Sequence, residues 1–380
     1  MKRICIVYFF LATLFCMEGR SMEINGSRIL LPDSYDKDYN VIGTVFYEDK
    51  GMFFVQQLIT STENNGLVFR HDRQLSSWNL ANQSMIAKRM FDRTPSPDPG
   101  AFPCGRVEKS VKLHKVFLCS AVSHLEVINP DSLATVGTLA RADDQIIMDF
   151  AVDDQRDRIF VLSIRKGNVL NLSSYSMSKG EKQQETTLPS INFSRMMSLA
   201  IAPQTGAIGI YVNIIERNRS KADIYICTDS SSLACKKTAQ THSASQISFL
   251  ERQLLVVTNN FANNKKDCIV AVDSMTGQVV SRAYCSPTGV HYALGVVEGK
   301  YVVGFTGKSK RIWFLEENRS VSSSFSVWRA GVSQVAAVVQ DPNDYGSFQA
   351  LLMVEGSNTN PFFIVYRYAS NMLYLYSIRE

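Results

Sequence analysis

The feature that most constrains the fold of this chain is a unit of short apolar runs separated by polar turns. Its clearest copy covers Gln145–Met177, where the apolar runs are Ile146–Val152, Ile159–Ile164 and Val169–Tyr175. Runs of six or seven residues suit β-strands and are too short for helices. The unit therefore predicts one blade of a β-propeller.

A strong apolar strand marks each copy of this unit, and seven markers follow one another at intervals of 43 to 64 residues. Four-stranded propeller blades recur about every 40–50 residues. We therefore predict an all-β fold, a seven-bladed β-propeller of four-stranded antiparallel blades. The markers are Met52–Val55, Val116–Leu118, Ile159–Val161, Ile210–Val212, Leu254–Val257, Tyr301–Val303 and Leu351–Met353.

The two ends of the chain are predicted to meet in the last blade. The strands assigned to that blade are Gln334–Val339, Ala350–Val354, Phe362–Tyr368 and Met372–Ile378. The N-terminal segment Met22–Tyr39 is predicted to add an outer strand there. This pairing would close the ring and remove an exposed sheet edge.

The first 21 residues have the pattern of a secretory signal peptide. Lys2 and Arg3 precede the apolar run Ile4–Cys16, and small residues occupy the cleavage positions Gly19 and Ser21. The alternative is a membrane anchor, although 13 apolar residues are fewer than the roughly 20 that a span needs. We predict an extracellular protein whose residues 22–380 form a single propeller domain.

The charge of the chain gives little indication of a charged partner. Cleavage after Ser21 removes three basic residues and one acidic residue, so the formal charge falls from +5 to +3. This charge favours neither nucleic acid nor an anionic membrane. We expect a monomer with no membrane span and no nucleic-acid partner.

Six cysteines follow the predicted signal peptide and allow 15 pairings. Residues that face each other across a hairpin are symmetric about its turn. This symmetry favours sequential bridges within single blades, in an oxidising compartment. The alternatives are free buried thiols or bridges between blades. The predicted pairs are Cys104–Cys119, Cys227–Cys235 and Cys268–Cys285.

Six Asn-X-Ser sequons fit the same compartment, because each needs only exposure to be glycosylated. They are Asn25, Asn82, Asn171, Asn192, Asn218 and Asn318.

Two segments share a pattern of strand, tight turn and second strand. They are Leu125–Leu139 (LEVINPDSLATVGTL) and Ile269–Val280 (IVAVDSMTGQVV), and Leu254–Asn260 (LLVVTNN) supplies a similar preceding strand. These segments resemble the YVTN-type propeller repeats of secreted and surface proteins. The resemblance covers about half of the chain and implies a quinoprotein amine dehydrogenase-like propeller, without implying an activity.

Aspartates crowd one region of the chain but lack the spacing of an EF-hand. We predict that Asp153, Asp154 and Asp157 serve a turn instead, with a metal site as the alternative. The five histidines are scattered, and no G-x-S-x-G or C-x-x-C-H motif occurs. The sequence therefore predicts no catalytic residue, no metal and no cofactor.

Two exposed segments are candidates for binding. Lys308, Lys310 and Arg311 form a basic cluster that could contact an anionic ligand, although such clusters are commonly solvated turns. The proline-rich stretch 94–100 is predicted to be a loop between the first two units, serving as a binding loop or as a spacer.

These observations favour a secreted, non-catalytic propeller that binds a protein, peptide or glycan. The alternative is a propeller hydrolase of lactonase type with a central divalent metal, for which the residues to inspect are Glu48, Asp149, Asn213 and Asn259. A third hypothesis is a structural component of an extracellular coat or matrix.

Overall fold

The structure is a computed structural model. It describes residues 22–30, 38–47, 50–63, 68–91, 104–121, 123–141, 145–189, 193–216, 219–229, 232–242, 244–258, 268–285, 290–297, 299–307, 323–332, 334–340, 349–352, 361–367 and 372–379. The predicted signal peptide and the proline-rich stretch lie outside these residues.

The described residues form 28 strands in seven antiparallel sheets of four strands each. Sheet 1 contains β2 (Asp38–Tyr47), β3 (Met52–Glu63), β4 (Val68–Asn79) and β5 (Ser84–Phe91), and sheet 2 contains β6 (Val107–Ser110), β7 (Lys115–Ala121), β8 (His124–Ile128) and β9 (Thr135–Arg141). Sheet 3 contains β10 (Gln145–Asp153), β11 (Arg158–Arg165), β12 (Val169–Ser176) and β13 (Lys182–Thr187), and sheet 4 contains β14 (Phe193–Ile201), β15 (Ile208–Glu216), β16 (Arg219–Asp229) and β17 (Leu233–His242). Sheet 5 contains β18 (Ala244–Leu250), β19 (Gln253–Thr258), β20 (Cys268–Asp273) and β21 (Val279–Cys285), and sheet 6 contains β22 (Val290–Val297), β23 (Tyr301–Gly307), β24 (Ser323–Arg329) and β25 (Val335–Gln340). Sheet 7 contains β26 (Gln349–Leu352), β27 (Phe362–Arg367), β28 (Met372–Arg379) and β1 (Glu23–Leu30).

Consecutive sheets pack face to face around a ring. The first strand of each sheet contacts the first strand of the next, from β2 through to β26. Sheet 7 returns to sheet 1, where Phe362, Ile364 and Leu373 share an apolar cluster with Phe46 and Phe53. The rings of Phe46 and Phe362 meet edge to face with centroids 4.9 Å apart. The arrangement is a β-propeller of four-stranded antiparallel blades, which confirms this part of the predicted fold.

The position of each strand within its sheet explains its apolar content. The second strand of sheet 3, β11, is buried on both faces, because neighbouring sheets cover both sides of it. The outermost strand, β13, is mostly exposed and carries polar residues throughout. The three apolar runs of the unit at Gln145–Met177 correspond to β10, β11 and β12, as predicted.

Sheet 7 joins the two ends of the chain. The N-terminal strand β1 pairs with β28 in an antiparallel register that runs from Glu23 opposite Arg379 to Leu30 opposite Met372. The predicted outer strand is therefore confirmed. The assignment of Gln334–Val339 to this sheet was wrong, because this segment overlaps β25 and is the outer strand of sheet 6. The fourth strand of sheet 7 is β1 itself.

The connections differ between the two faces of the ring. Links from the first to the second strand and from the third to the fourth strand of a sheet lie on one face, which we call the turn face. The other links lie on the opposite face, which we call the loop face. In sequence, the strand ends on the turn face are separated by short stretches except at 353–361, whereas those on the loop face include the longer separations 92–106, 259–267, 308–322 and 341–348.

Asx turns shape several of the short links. The side-chain Oδ1 of Asn129 accepts hydrogen bonds from the backbone N–H groups of Asp131 and Ser132. Asp273 does the same for Met275 and Thr276. Short Asn and Asp side chains favour such turns because they satisfy the backbone locally.

The cysteine predictions have different outcomes. The Cys227–Cys235 disulfide is present within the β16–β17 hairpin. Cys268 and Cys285 face each other in the β20–β21 register, as the hairpin symmetry predicted.

Cys104 and Cys119 are free buried thiols, so the predicted bridge is not formed in the structure. The β6–β7 register pairs Val107 with Leu118, which places Cys104 two positions away from the residue opposite Cys119. The two cysteines are therefore diagonal neighbours instead of direct partners.

No helix in the described part of the chain is long and apolar enough to cross a membrane.

Candidate functional site

A cavity of ≈ 690 Å³ lies at the axis of the ring. Its wall is built from the first strands of sheets 1 to 6 and from the residues that flank them. This is where the elements of a propeller converge, and ligand sites in such folds occupy the same region. We refer to this cavity as the axial cavity.

Bulges bend several of the strands around the axial cavity. The register between the first and second strands shifts between Val41 and Gly43 in sheet 1 and between Ile147 and Asp149 in sheet 3. Comparable shifts occur in sheets 5 and 6. A bulge re-aims the side chains that follow it. In sheet 3 the residue that follows the bulge is Asp149.

Asp149 is the centre of a polar cluster in the wall of the cavity. Its Oδ2 accepts hydrogen bonds from the Arg106 guanidinium at 3.1 Å, from the Leu199 N–H at 2.8 Å and from the Ser198 hydroxyl. Its Oδ1 accepts from the backbone N–H of Phe150 at 2.9 Å. Both carboxylate oxygens are thus engaged by groups of the protein.

Arg106 links three sheets. It precedes β6 of sheet 2, pairs with Asp149 of sheet 3 and donates to the Leu199 carbonyl of sheet 4 at 2.5 Å. Its Nε also pairs with Glu108 Oε1 at 2.7 Å. We refer to Arg106, Glu108 and Asp149 as the axial ion cluster.

The two carboxylates of the axial ion cluster favour the charged form of Arg106. Burial alone would lower the pKa of Arg106, but the carboxylates of Asp149 and Glu108 outweigh it and raise that pKa above its ordinary value. Burial and the charge of Asp149 raise the pKa of the neighbouring Tyr211. Tyr211 therefore stays a neutral phenol while Arg106 stays charged.

Two glycines allow sheets 1 and 2 to approach closely beside the cavity. A Cβ added to Gly43 would lie 2.1 Å from the Gly105 carbonyl oxygen, and a Cβ on Gly105 would lie 2.6 Å from the Ile42 oxygen. No side chain fits at either position without moving the backbone. The segment that carries Arg106 is therefore packed directly against β2.

A second polar cluster lies on the turn face, between sheets 1 and 2. His114 Nδ1 is 3.0 Å from the buried Tyr47 hydroxyl, and His114 Nε2 is 3.0 Å from Asp131 Oδ2. Lys50 forms a salt bridge with Asp131. The hydrogen bonds from Lys50 and His114 lower the pKa of Asp131. This cluster connects three turns at the surface.

The aspartates of sheet 3 serve turns. Asp153 Oδ1 accepts from the Arg156 N–H at 3.2 Å, as the turn prediction requires. Asp154 accepts from the backbone of the neighbouring turn at Val111, and Asp157 accepts from the Ser178 N–H. Within the described ranges, no group of three His, Cys, Asp or Glu residues could hold a metal ion.

The four residues of the hydrolase hypothesis do not come together in the part of the chain that the structure covers. Asp149 belongs to the axial ion cluster. Asn213 is buried, and its amide binds the backbone of Ala244 through both its nitrogen, at 2.7 Å, and its oxygen, at 2.8 Å. Glu48 and Asn259 lie outside the described residues.

Most of the other predicted sites lie where the structure gives no description. The basic cluster Lys308, Lys310 and Arg311 falls in the link between β23 and β24. The sequons at Asn192, Asn218 and Asn318 are also outside the described residues, and the side chain of Asn25 in β1 is not described.

Two sequons have described side chains, and their surroundings differ. Asn82 is exposed in the turn after β4, and its Oδ1 accepts from the Ser84 N–H and hydroxyl. Asn171 is only 3% exposed, and its amide is hydrogen bonded to Thr187. The folded ring has room for a glycan at Asn82 but not at Asn171.

No known protein family matches the chain, and no curated protein is significantly similar to it in sequence. The propeller arrangement that the YVTN-type resemblance implied is present. The particular type of repeat stays a prediction.

Sequence reasoning missed the pairing of Arg106 with Asp149. The available signal was a carboxylate inside the apolar run Ile146–Val152, because a buried charge requires a partner. Nothing in the sequence indicated that the partner precedes the first strand of another sheet.

Proposed function

We propose that this chain is a secreted β-propeller that acts as a non-catalytic binding module for a protein, peptide or glycan. We infer that residues 22–380 form one domain and that the seven sheets are its seven blades. The observation that carries the proposal is the axial cavity of ≈ 690 Å³, which is lined by the first strands of sheets 1 to 6 and their flanking residues. Propellers use this region to hold ligands.

The loop face is the proposed binding face. The described strands that end on this face are separated in sequence by the long stretches 92–106, 259–267 and 308–322. Loops on a rigid scaffold can vary without disturbing the sheets, which is why binding residues are common there. The turn face offers mostly short turns whose polar groups bind one another.

The basic cluster Lys308, Lys310 and Arg311 is the proposed contact for an anionic ligand. In the sequence it lies between β23 and β24, whose facing ends belong to the loop face. Three adjacent cations would attract an acidic glycan, and this attraction would weaken as salt concentration rises.

Heparin, used as an acidic glycan probe, tests this assignment. The triple variant Lys308→Ala, Lys310→Ala, Arg311→Ala should lose most of its binding to immobilised heparin. The matched control removes the same charges from the turn face, as Lys112→Ala, Lys179→Ala, Arg252→Ala, and should bind as the unmodified protein does. If both variants lose heparin binding equally, the binding depends only on the net charge of the protein, and the assignment to Lys308, Lys310 and Arg311 is refuted.

A propeller hydrolase with a central divalent metal is the competing hypothesis. The contacts of Asp149 and Asn213 argue against it, because both side chains already bind protein groups that a metal would have to displace. Elemental analysis of the purified, secreted protein separates the two. A stoichiometric divalent metal that is retained after dialysis would overturn the binding-only proposal.

A structural role in an extracellular coat or matrix would require self-association. We propose a monomer, so size-exclusion chromatography should give one species near the mass of the mature chain. Concentration-dependent assemblies would favour the structural role.

A further inference from the structure

The axial cavity opens on the turn face of the ring. Val111, Gln155 and Pro203 line it and are exposed, and each belongs to the link between the first and second strands of its sheet. The inner end of the cavity lies near the middle of the first strands, where Gly43 and Gly105 bring sheets 1 and 2 together. A small ligand that enters from the turn face therefore reaches the axial ion cluster.

Apolar side chains line the outer part of the cavity and remain in contact with water. They come from four consecutive sheets and are Val45, Val111, Val152 and Ile201. Covering apolar surface of this kind favours binding. The ligand is therefore expected to have an apolar stem.

The described lining of the cavity carries an excess of negative charge. Two basic and four acidic side chains line it, which leaves a net charge of −2; they are Arg106, Lys109, Glu108, Asp149, Asp153 and Asp154. From outside this lining, Arg156 pairs with Asp153 at 2.9 Å and compensates one of these charges. One negative charge therefore remains in excess within the described lining, and it favours a cationic ligand.

Two neighbouring side chains respond to this negative charge. Burial lowers the pKa of Arg106, but the carboxylates of Asp149 and Glu108 outweigh it and raise that pKa. Burial and the charge of Asp149 raise the pKa of Tyr211. The carboxylates therefore favour positive charge and disfavour further negative charge at the inner end of the cavity.

Glu108 is the carboxylate that a ligand can reach. Its side chain is 26% exposed, whereas that of Asp149 is 10% exposed and has both oxygens engaged by protein groups. The Glu108 Oε1 accepts from the Arg106 Nε at 2.7 Å, which holds the carboxylate in place. A carboxylate has several acceptor sites, so Glu108 can accept from an ammonium group as well.

Thr44 supplies an independent indication of a missing polar partner. It lines the same cavity, and its side chain is buried in the wall. In the described part of the chain its Oγ1 has no hydrogen-bond partner. An unsatisfied buried hydroxyl is unfavourable, and a polar group of a ligand would satisfy it.

We propose that the axial cavity binds a small organic cation, a primary ammonium group on an apolar stem, which enters from the turn face and pairs with Glu108. This site is separate from the basic cluster proposed for the loop face, and its ligand has the opposite charge.

Three probes with one stem and different charges test the proposal by calorimetric titration of the unmodified secreted protein. They are phenylbutylamine, phenylbutanol and phenylbutyrate. The amine should bind with one-to-one stoichiometry, and the alcohol and the acid should bind at least about tenfold more weakly, because only the amine forms a charge-assisted hydrogen bond. Equal affinities for the three probes would refute the preference for a cation.

The heparin measurement on the same preparation separates this proposal from the proposed loop-face function. A protein that binds heparin but not phenylbutylamine refutes the cavity site and retains the loop-face assignment. A protein that binds phenylbutylamine but not heparin supports the cavity site and refutes that assignment.

Two glutamate variants test the role of Glu108. Glu108→Gln should weaken the binding of phenylbutylamine by about tenfold or more, because it removes the charged acceptor. Glu126→Gln is the matched control, since this carboxylate lies in the same sheet but bonds to Thr135 outside the cavity. Equal affinities in the two variants would exclude Glu108 from the site. The probe series needs no substitution and decides the proposal even if Glu108→Gln weakens the fold.

Two tryptophan variants test the direction of entry. Gln155→Trp places a bulky side chain at the opening on the turn face and should weaken the binding of phenylbutylamine. Gln183→Trp makes the same change on the exposed outer strand of the same sheet and should leave the affinity unchanged. If Gln155→Trp binds the amine as tightly as Gln183→Trp does, entry from the turn face is refuted.

Discussion

Replacing Asp149 by Asn would test whether its charge holds the axial ion cluster together. The substitution keeps the volume of the side chain and one carbonyl oxygen, which can still accept from Ser198 and Leu199. It removes the negative charge that faces Arg106 at 3.1 Å. The amide nitrogen takes the place of Oδ1 and cannot accept from the Phe150 N–H, so the expected loss of stability is that of the ion pair together with one backbone hydrogen bond.

The expected magnitude follows from burial. Breaking a fully buried ion pair costs about 3–5 kcal/mol. Arg106 is 29% exposed in the cavity and keeps Glu108 as a partner, so a cost of about 2–3 kcal/mol is expected here. With an unfolding entropy of about 2.1 cal/mol/K per residue, this loss lowers Tm by roughly 3–4 °C.

Urea unfolding followed by tryptophan fluorescence would measure this loss, since Trp78 and Trp328 are both buried. Asp273→Asn makes the same chemical change in an exposed turn, where the remaining oxygen can still accept from Met275 and Thr276, and should lower the unfolding midpoint much less. Arg106→Gln, alone and combined with Asp149→Asn, completes a double-mutant cycle. If Asp149→Asn lowers the unfolding midpoint no more than Asp273→Asn does, the ion pair does not stabilise the fold. The same conclusion follows if the effects of Arg106→Gln and Asp149→Asn simply add in the double variant, and either result refutes the prediction.

Three further outcomes are expected. Gly43→Ala should destabilise the ring by about 1–3 kcal/mol in urea, because its Cβ meets the Gly105 carbonyl; an unchanged midpoint would show that the sheets can separate freely. The pKa of Asp131 is lower in the folded protein, so its charge adds stability above the ordinary carboxyl pKa, and this stability is lost as pH falls through the folded value. The variant Asp131→Asn should lack this part of the pH dependence of unfolding, and a pH profile identical to that of the unmodified protein would contradict the prediction. Glycosidase treatment after expression in a glycosylating host should remove one glycan fewer from Asn82→Gln, whereas a glycan mapped to Asn171 would contradict its burial.

The local parts of the fold could be predicted from the sequence. The apolar runs between Ile146 and Tyr175 form strands because each run is covered on both faces by neighbouring sheets. The Cys227–Cys235 bridge follows from hairpin symmetry, and it is confirmed because these residues are direct partners across β16 and β17. Where the length of the strands and the position of the turn are clear in the sequence, the spacing of apolar residues is enough to predict the strands and their pairing within a hairpin.

The features that depend on distant residues could not be predicted in this way. Cys104 and Cys119 were predicted as direct partners, but the β6–β7 hairpin is centred one residue later than the midpoint between them, so the pair is diagonal. The strands of the last sheet were assigned from neighbouring sequence, whereas its fourth strand is β1 from the other end of the chain. The pairing of Arg106 with Asp149 depends on how two sheets pack.

The pairing of β1 with β28 has a consequence for biogenesis. Residues 23–30 are synthesised more than 340 residues before their partner, residues 372–379. During translation β1 therefore has no partner strand until residues 372–379 have been made, and its unpaired edge can contact chaperones and other nascent chains. Contacts between such distant positions form slowly, so completion of the ring is expected to be a late, post-translational event.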